Sequence, residues 1–139
     1  MTNWIIGQSD RFRAAVAEVT TSNRYSQWGT SDYGHGNGNW EFKGYPWASW
    51  ENARHYLERS PITYAENMQT PLLMIQAEED HRCPLEQAEQ LYTSLVVLGR
   101  EVELVIVPGE SHAFSRMGRP RHREERLERI SDWFARYLG

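Results

Sequence analysis

Two residues of types that carry acid–base chemistry, Asp80 and His112, each follow a short apolar run of strand length. If both runs are strands of one parallel sheet, their side chains come together at the carboxyl edge of that sheet. An aspartate followed by a histidine gives two members of a Ser-His-Asp triad. In such a triad the histidine takes the proton of the nucleophile and the aspartate fixes the histidine tautomer. We therefore predict Asp80 and His112 as catalytic residues within hydrogen-bond reach of each other.

The third member, a serine on a G-x-S-x-G turn, has no match in the 139 residues. Without it, the pair can still act as a general base on water, which is worth about 10²–10⁴-fold in rate. That magnitude suits small activated esters, such as aryl esters or phosphotriesters, better than peptide bonds.

A divalent metal such as zinc is a second way to activate water. Asp80, His81 and His112 are of ligand type and are predicted to lie close together at the strand ends. Neither H-E-x-x-H nor paired-cysteine spacing is present, which favours a site without metal. Ligands shared across a dimer would escape this test. Cys83, the single cysteine, could be a reactive thiol.

The elements that must position these residues follow from periodicity. Apolar runs predict strands at Ala14–Val19, Leu72–Ala77 and Val102–Val107, the last two buried on both faces. Helical stripes and end signals predict helices over Met1 to about Asp10, Trp50–Arg59, Leu85–Leu98 (ended by Gly99) and Arg123–Leu138. Alternation of strands and helices predicts an α/β fold with three parallel strands, Leu72–Ala77 in the middle.

The stretch from Asn23 to Trp50 is rich in aromatic residues and in glycine. The glycines predict irregular backbone. One interpretation is a substrate-binding pocket for acyl or aryl groups; the other is that the rings pack this segment onto the core. The candidate substrate-binding residues are Trp28, Trp40, Trp47 and Trp50.

Nearly the whole chain resembles the C-terminal part of the catalytic α/β-hydrolase domain of the prolyl oligopeptidase family, especially its acylaminoacyl-peptidase branch. The stretches that carry the resemblance are Thr70–Ile75, the Asp80 loop, Pro84–Leu91, Pro108–His112, Arg119–Arg123 and Asp132–Phe134. In that family a Gly-Gly-Ser-Tyr-Gly-Gly-Tyr elbow precedes a segment like Met1–Gly7. The resemblance thus implies one partial domain over 1–139, truncated just after the elbow, with residues 23–60 as an aromatic-rich loop and helix insertion near the active-site entrance.

The resemblance also bears on individual residues. It implies that Ser111 is a structural member of a Gly-Glu-Ser-His segment, and that residues like His81 and His122 occur in the family without a metal. Because the family often has cysteine at the position of Cys83, the resemblance favours a structural role for that residue over a reactive thiol. Of the other candidate nucleophiles, Ser9 follows no strand. Ser26 and Ser31, in the aromatic segment, cannot be placed from the sequence.

The composition of the chain indicates which classes of binding partner are not expected. The chain has 15 basic and 19 acidic residues, a net charge of −4, which gives no reason to expect nucleic-acid binding. No apolar run approaches the roughly 20 residues of a membrane helix, and no basic leader opens the chain. A single cysteine allows no internal disulfide framework, so the reducing cytoplasm is the expected location.

The start of the sheet suggests self-association. Strand Ala14–Val19 is expected to form a bare apolar edge, which a second copy of the chain would cover in a homodimer or higher oligomer. Three interpretations of function follow. The first, which we favour, is a minimal serine-independent hydrolase of small activated esters. The alternatives are a catalytically silent oligomeric fragment and a module that binds a hydrophobic ligand.

Overall fold

A computed structural model describes residues 1–42 and 44–139, except for the side chains of 37–40. Three parallel strands form one sheet in the order β1-β2-β3. The strands are β1 (Ala15–Glu18), β2 (Leu72–Ala77) and β3 (Val102–Val107). The helices are α1 (Thr2–Ile6), α2 (Arg24–Thr30), α3 (Gly34–Glu41), α4 (Trp50–Glu58), α5 (Leu85–Val97), α6 (Phe114–Met117) and α7 (Pro120–Leu138), with a 3-10 helix at Pro61–Asn67. The α/β fold and the central position of β2 are confirmed.

The core lies on both faces of β2, whose six residues are all buried. On one face Leu72 and Met74 pack with Leu91 and Leu95 of α5 and with Ile6 of α1. The opposite face is covered from the C-terminal side of the chain. The residues clustered there are Leu73, Ile75, Ala77, Val107, Phe114 and Trp133.

Strand β3 is less buried than the sequence predicts. Its residues are half-buried except for Val107, which is buried, and Ile106, which is 43% exposed. The physical reason is its place at the edge of the sheet, where β2 is its only strand neighbour among the described residues. Val102 and Leu104 pack on the α5 side of the sheet, and Val105 packs on the side of Trp133 in α7.

Strand β1 is an edge as expected, yet its side chains are not bare. Ala15 and Ala17 are buried, because α1 packs beside them. On the other face Glu18 is paired with Arg126 of α7. Within the part of the chain that the structure describes, no strand pairs with the backbone edge of β1 that faces away from β2.

Residues Arg24–Thr30 and Gly34–Glu41 are helical, so the prediction of irregular backbone is wrong for these two stretches, whereas 31–33 form a turn and the described residues of 42–49 lie in no helix or strand. Asn23 caps α2, because its side chain accepts hydrogen bonds from the backbone N–H groups of Tyr25 and Ser26. The cap starts helix α2, which was not predicted because the following segment is rich in glycine. Helix α3 follows directly in the residues Gly34–Glu41.

Two helix ends show how local sequence sets the boundaries. Gly99 follows α5 with a φ of +68°, the left-handed conformation that glycine adopts most easily, so it ends that helix as predicted. Helix α7 starts at Pro120 and not at Arg123, since proline is well suited to the first turn of a helix. Among the described residues, no helix is long and apolar enough to cross a membrane.

Candidate active site at the carboxyl edge of the sheet

Asp80 lies just beyond the carboxyl end of β2 and is held by a tight turn of its own. Its Oδ1 accepts hydrogen bonds from the backbone N–H of Arg82 at 2.9 Å and of Cys83 at 2.7 Å. Its Oδ2 accepts from the side-chain amide of Gln76 at 3.2 Å. The residue is only 2% exposed. A buried carboxylate that accepts this many hydrogen bonds is fixed in place and well suited to accept one more.

His112 follows β3 across a turn that Gly109 makes possible with a φ of +61°. Two hydrogen bonds tie this turn to the end of β2. The Gly109 N–H donates to the Glu78 carboxylate at 2.8 Å, and the Glu79 N–H donates to the Glu110 carbonyl at 2.9 Å. The loops that carry the acid and the histidine are therefore locked to each other.

The imidazole of His112 faces Asp80 through one nitrogen. Its Nδ1 lies 3.0 Å from Oδ2 and 3.2 Å from Oδ1 of Asp80, so the predicted contact is present. The His112 side chain is 43% exposed, and no hydrogen bond reaches its Nε2 from the described residues. An Nδ1–H that donates to a carboxylate leaves the Nε2 lone pair free to accept a proton. The arrangement is that of a general base with its orienting acid.

Two buried glutamines hold the surrounding loops, and sequence reasoning missed both. Gln76 of β2 donates to the Cys83 carbonyl at 2.6 Å and accepts from the Thr20 N–H at 3.0 Å. Gln87 of α5 accepts from the Asn23 N–H at 2.8 Å. A glutamine inside the apolar run Leu72–Ala77 was the available signal, because a buried amide must find hydrogen-bond partners.

The segment after α2 is attached to the Asp80 loop. The Ser31 hydroxyl donates to the Arg82 carbonyl, and the Asp32 N–H donates to the His81 carbonyl, both at 2.8 Å. The Arg82 guanidinium pairs with the Asp32 carboxylate at 2.7 Å. These bonds keep the aromatic segment next to the candidate site.

None of the candidate serines is hydrogen-bonded to His112 in the described part of the chain. The Ser26 hydroxyl contacts Glu86 and receives a hydrogen bond from Gln87 at 2.8 Å, and the Ser31 hydroxyl is engaged with Arg82. Ser9 and Ser111 have no side-chain hydrogen bond to the histidine either.

The ligand-type residues that the structure gathers differ from the predicted metal set. Three ligand atoms, one each from Asp80, Cys83 and His112, lie within 4.8 Å of one another. His81 is exposed and does not belong to this group. Burial raises the pKa of the Cys83 thiol, so without a metal this residue is a neutral thiol at pH 7 and a poor nucleophile.

Of the predicted substrate-binding tryptophans, the three with described side chains, Trp28, Trp47 and Trp50, do not lie together in one cluster. Trp28 and Trp47 pack together with ring centroids 5.1 Å apart, whereas Trp50 is 90% exposed at the start of α4. The Trp40 side chain lies outside the described residues. A cavity of about 470 Å³ does open at the carboxyl end of β1, with Trp4 and Phe42 in its wall, but Trp28, Trp47 and Trp50 do not line it.

A second carboxylate–histidine pair lies behind the site. The Glu110 Oε1 accepts from the Arg119 N–H at 2.9 Å and lies 2.7 Å from the His122 Nδ1. The Arg119 N–H first, and then the His122 hydrogen bond, lower the pKa of Glu110 below its ordinary value of 4.5. Glu110 joins α7 to the His112 loop and is not aimed at the catalytic face.

A carboxylate with a lowered pKa stabilises the fold above its ordinary pKa, and this stabilisation is lost as the pH falls through the folded-state value. We therefore expect Glu110→Gln to lower the free energy of unfolding at pH 7 by about 1–2 kcal/mol. The difference from the parent chain should shrink as the pH falls below 4.5. Urea unfolding from pH 7 to pH 3 measures it, with the exposed Glu89→Gln as control. A gap that is constant over this range would contradict the role given to the Glu110 charge.

Comparisons with known proteins show which proteins this chain resembles. The model of the prolyl oligopeptidase family matches residues 1–139. An uncharacterized peptidase of Bacillus subtilis, YuxL, is 46% identical over 138 residues, covering 99% of this chain and 20% of that protein. The Arabidopsis thaliana acylamino-acid-releasing enzyme is 28% identical over 150 residues, 99% of this chain and 18% of its own length.

Solved structures show the same fold. The acylaminoacyl peptidase of Pyrococcus horikoshii superposes with a TM-score of 0.87 at 36% identity, covering 99% of this chain and 22% of that one. A puromycin-hydrolyzing peptidase of Mycobacterium tuberculosis gives 0.82 at 25% identity, over 96% of this chain and 20% of that one. The chain thus spans about a fifth of the length of the proteins that it matches.

Proposed function

The chain belongs to the prolyl oligopeptidase family, and we propose that His112 is the general base of its hydrolase site and Asp80 the residue that orients it. One observation carries the proposal. The His112 Nδ1 is held 3.0 Å from a buried carboxylate, while its Nε2 has no partner among the described residues. The proton acceptor of the site is therefore fixed in orientation and accessible to a nucleophile.

For the chain by itself, the nucleophile we propose is water and the substrates are small activated esters, of the carboxyl or phosphotriester type. No serine of the described residues is hydrogen-bonded to His112, and the thiol of Cys83 is protonated at neutral pH. General-base assistance of about 10²–10⁴-fold is enough for esters with good leaving groups and too little for amides. Where a serine-bearing segment is supplied in the same or another chain, the same base would serve that serine.

Water activation by a zinc ion on Asp80, His81 and His112 has less support. His81 is exposed and stands outside the group of ligand atoms within 4.8 Å. The metal-free general base needs no residue beyond the two that are in contact.

The test is turnover of p-nitrophenyl acetate and of diethyl p-nitrophenyl phosphate by the purified chain. We expect hydrolysis above a heat-denatured control, with linear progress and no burst, because no covalent intermediate forms. A fluorophosphonate probe should leave the intact mass unchanged. Stoichiometric labelling of one serine would overturn the water mechanism and identify a replacement nucleophile.

Two further outcomes would overturn the hydrolase proposal itself. Absence of turnover in the chain alone would favour a catalytically silent fragment. Saturable quenching of tryptophan fluorescence by the uncleaved esters would favour a hydrophobic-ligand module. Trp4 in the wall of the 470 Å³ cavity is placed to report such binding.

We also propose that the chain forms a homodimer through the open edge of β1. The Ala15 N–H donates to the Pro71 carbonyl and the Val19 N–H donates to the Ile75 carbonyl, so alternate residues of β1 point their backbone groups toward β2. Val16 and Glu18 therefore direct theirs to the open edge. Unpaired edge groups of this kind favour pairing with a second strand, and a copy of the chain supplies one.

Val16→Pro should prevent this pairing, since proline removes an outward N–H and leaves the bonds to β2 intact. In sedimentation velocity at micromolar concentration we expect a dimer for the parent chain and a monomer for Val16→Pro. The matched control is Val16→Thr, which keeps the N–H and should stay dimeric. A parent chain that sediments as a compact monomer would contradict the proposal.

A further inference from the structure

The Cys83 thiol is the one chemically distinctive group of the described site that the hydrolase proposal does not use. We propose that Asp80, Cys83 and His112 form a binding site for a thiophilic divalent cation such as zinc, and that the bound cation prevents His112 from acting as a general base. An oxygen, a sulfur and a nitrogen atom, one from each residue, lie within 4.8 Å of one another. Zinc binds a carboxylate oxygen, a thiolate sulfur and an imidazole nitrogen in proteins, so the Cys83 thiol releases its proton to solvent when the cation binds.

The turn around Asp80 explains why Cys83 is the partner and His81 is not. Oδ1 accepts from the backbone N–H groups of Arg82 and Cys83, which curls the chain so that the third residue after the aspartate returns toward the carboxylate. The residue directly after the aspartate, His81, is left exposed.

The geometry requires little movement. With bonds of about 2.0–2.3 Å, tetrahedral zinc keeps its ligand atoms about 3.4–3.8 Å apart, so the cluster must close by about 1 Å. Asp80 and Cys83 are tied to one turn, and the 43% exposed His112 side chain is free to move. Oδ1 keeps its backbone bonds while Oδ2 turns to the cation.

Outer contacts for the sulfur ligand already exist. The Thr21 hydroxyl lies 3.4 Å from the Cys83 Sγ, and the Gln76 amide holds the Cys83 carbonyl at 2.6 Å. Hydrogen bonds of this kind orient metal ligands and are part of a working site.

The consequence for chemistry follows from the two sides of the imidazole. The Nδ1 side faces Asp80, which is 2% exposed, and the Nε2 side faces away from it. A cation at Nδ1 binds the lone pair of that nitrogen, so the single proton of the neutral ring moves from Nδ1 to Nε2, and Nε2 can then no longer accept a proton. This second half of the inference rests on the proposed function; the binding of the cation does not.

The experiment is calorimetric titration of the untagged chain with Zn²⁺, together with absorbance after Co²⁺ addition. We expect one bound ion per chain and a near-ultraviolet thiolate-to-cobalt band. Cys83→Ser should abolish the band and weaken zinc binding about 100-fold or more, since loss of a ligand costs at least as much as loss of its supporting contact. The matched control His81→Gln should bind zinc within about twofold of the parent.

Each of the following results would contradict a specific part of the metal-site proposal. Equal zinc affinity in Cys83→Ser and in the parent would overturn the site. Weakening in His81→Gln alone would replace it by the Asp80, His81 and His112 set. If the chain hydrolyses p-nitrophenyl acetate, saturating zinc should abolish that activity, and stimulation by zinc would overturn the inhibitory half. Zinc binding through Cys83 without any ester turnover would contradict the proposed function and support the metal site.

Discussion

His112→Gln should lower ester hydrolysis about 10²- to 10⁴-fold, the range that general acid–base assistance supplies. Glutamine can keep an N–H directed at Asp80, but it has no group that accepts a proton near neutral pH. The fold should persist, because the histidine side chain is 43% exposed and its described hydrogen bonds go to Asp80 alone. The measurement is the turnover number on p-nitrophenyl acetate beside the circular dichroism spectrum.

The matched control is His35→Gln, on the exposed surface of α3. It removes an imidazole from the chain without touching the pair, so it should hydrolyse at the parent rate. If His112→Gln does the same, the Asp80–His112 contact is scaffolding only, and the activity of the chain, if any, resides elsewhere. A loss shared by both variants would point to general imidazole catalysis at the surface.

The framework of the site was predictable because it depends on local patterns. The run Leu72–Ala77 is apolar and of strand length, and such a run in an α/β chain is buried on both faces. The residues after it and after Val102–Val107 must then meet at one edge. That topology predicts that Asp80 and His112 lie near each other, and the turns at Asp80 and Gly109 then set the 3.0 Å contact.

Features that depend on the path of single loops were not predictable in this way. The neighbour of Asp80 in the sequence, His81, was predicted as a ligand, whereas the turn brings Cys83 back instead. That turn is made by hydrogen bonds from the backbone to the Asp80 carboxylate. Composition cannot distinguish the first residue after an aspartate from the third unless the turn is recognised.

The aromatic segment illustrates a different limit. Its glycines argued for irregular backbone, but the Asn23 cap and the hydrogen bonds from Ser31 and Asp32 to the Asp80 loop hold helices there. Tertiary contacts of this kind override the intrinsic cost of glycine in a helix, which is only about 1 kcal/mol per residue. Trp28 and Trp47 then pack on each other, and the role of the tryptophans in substrate binding stays a prediction.

Asp80→Asn should lower hydrolysis by about as much as loss of the base, since the equivalent change in a serine-protease triad costs about 10⁴-fold through the wrong histidine tautomer. The introduced side-chain amide would oppose His112 where a carboxylate oxygen now accepts from Nδ1 at 3.0 Å. Nδ1 would then have to accept, which places the ring proton on Nε2. The imidazole stays in place, yet its outward nitrogen has no lone pair to offer.

If Asp80 had only a structural role, its replacement would leave the His112 tautomer unchanged. The protonation of the two ring nitrogens of His112 therefore distinguishes a structural role from an orienting one. Asp80→Asn will also cost stability, because the Gln76 amide loses an acceptor, so a lower rate alone is not diagnostic. Nitrogen-15 shifts of His112 report the tautomer directly: we expect Nδ1–H in the parent and Nε2–H in the variant. Asp132→Asn, on the exposed side of α7, should change neither the shifts nor the rate. An Nδ1–H tautomer retained in a folded Asp80→Asn chain, with the rate unchanged, would mean that the carboxylate does not orient the base.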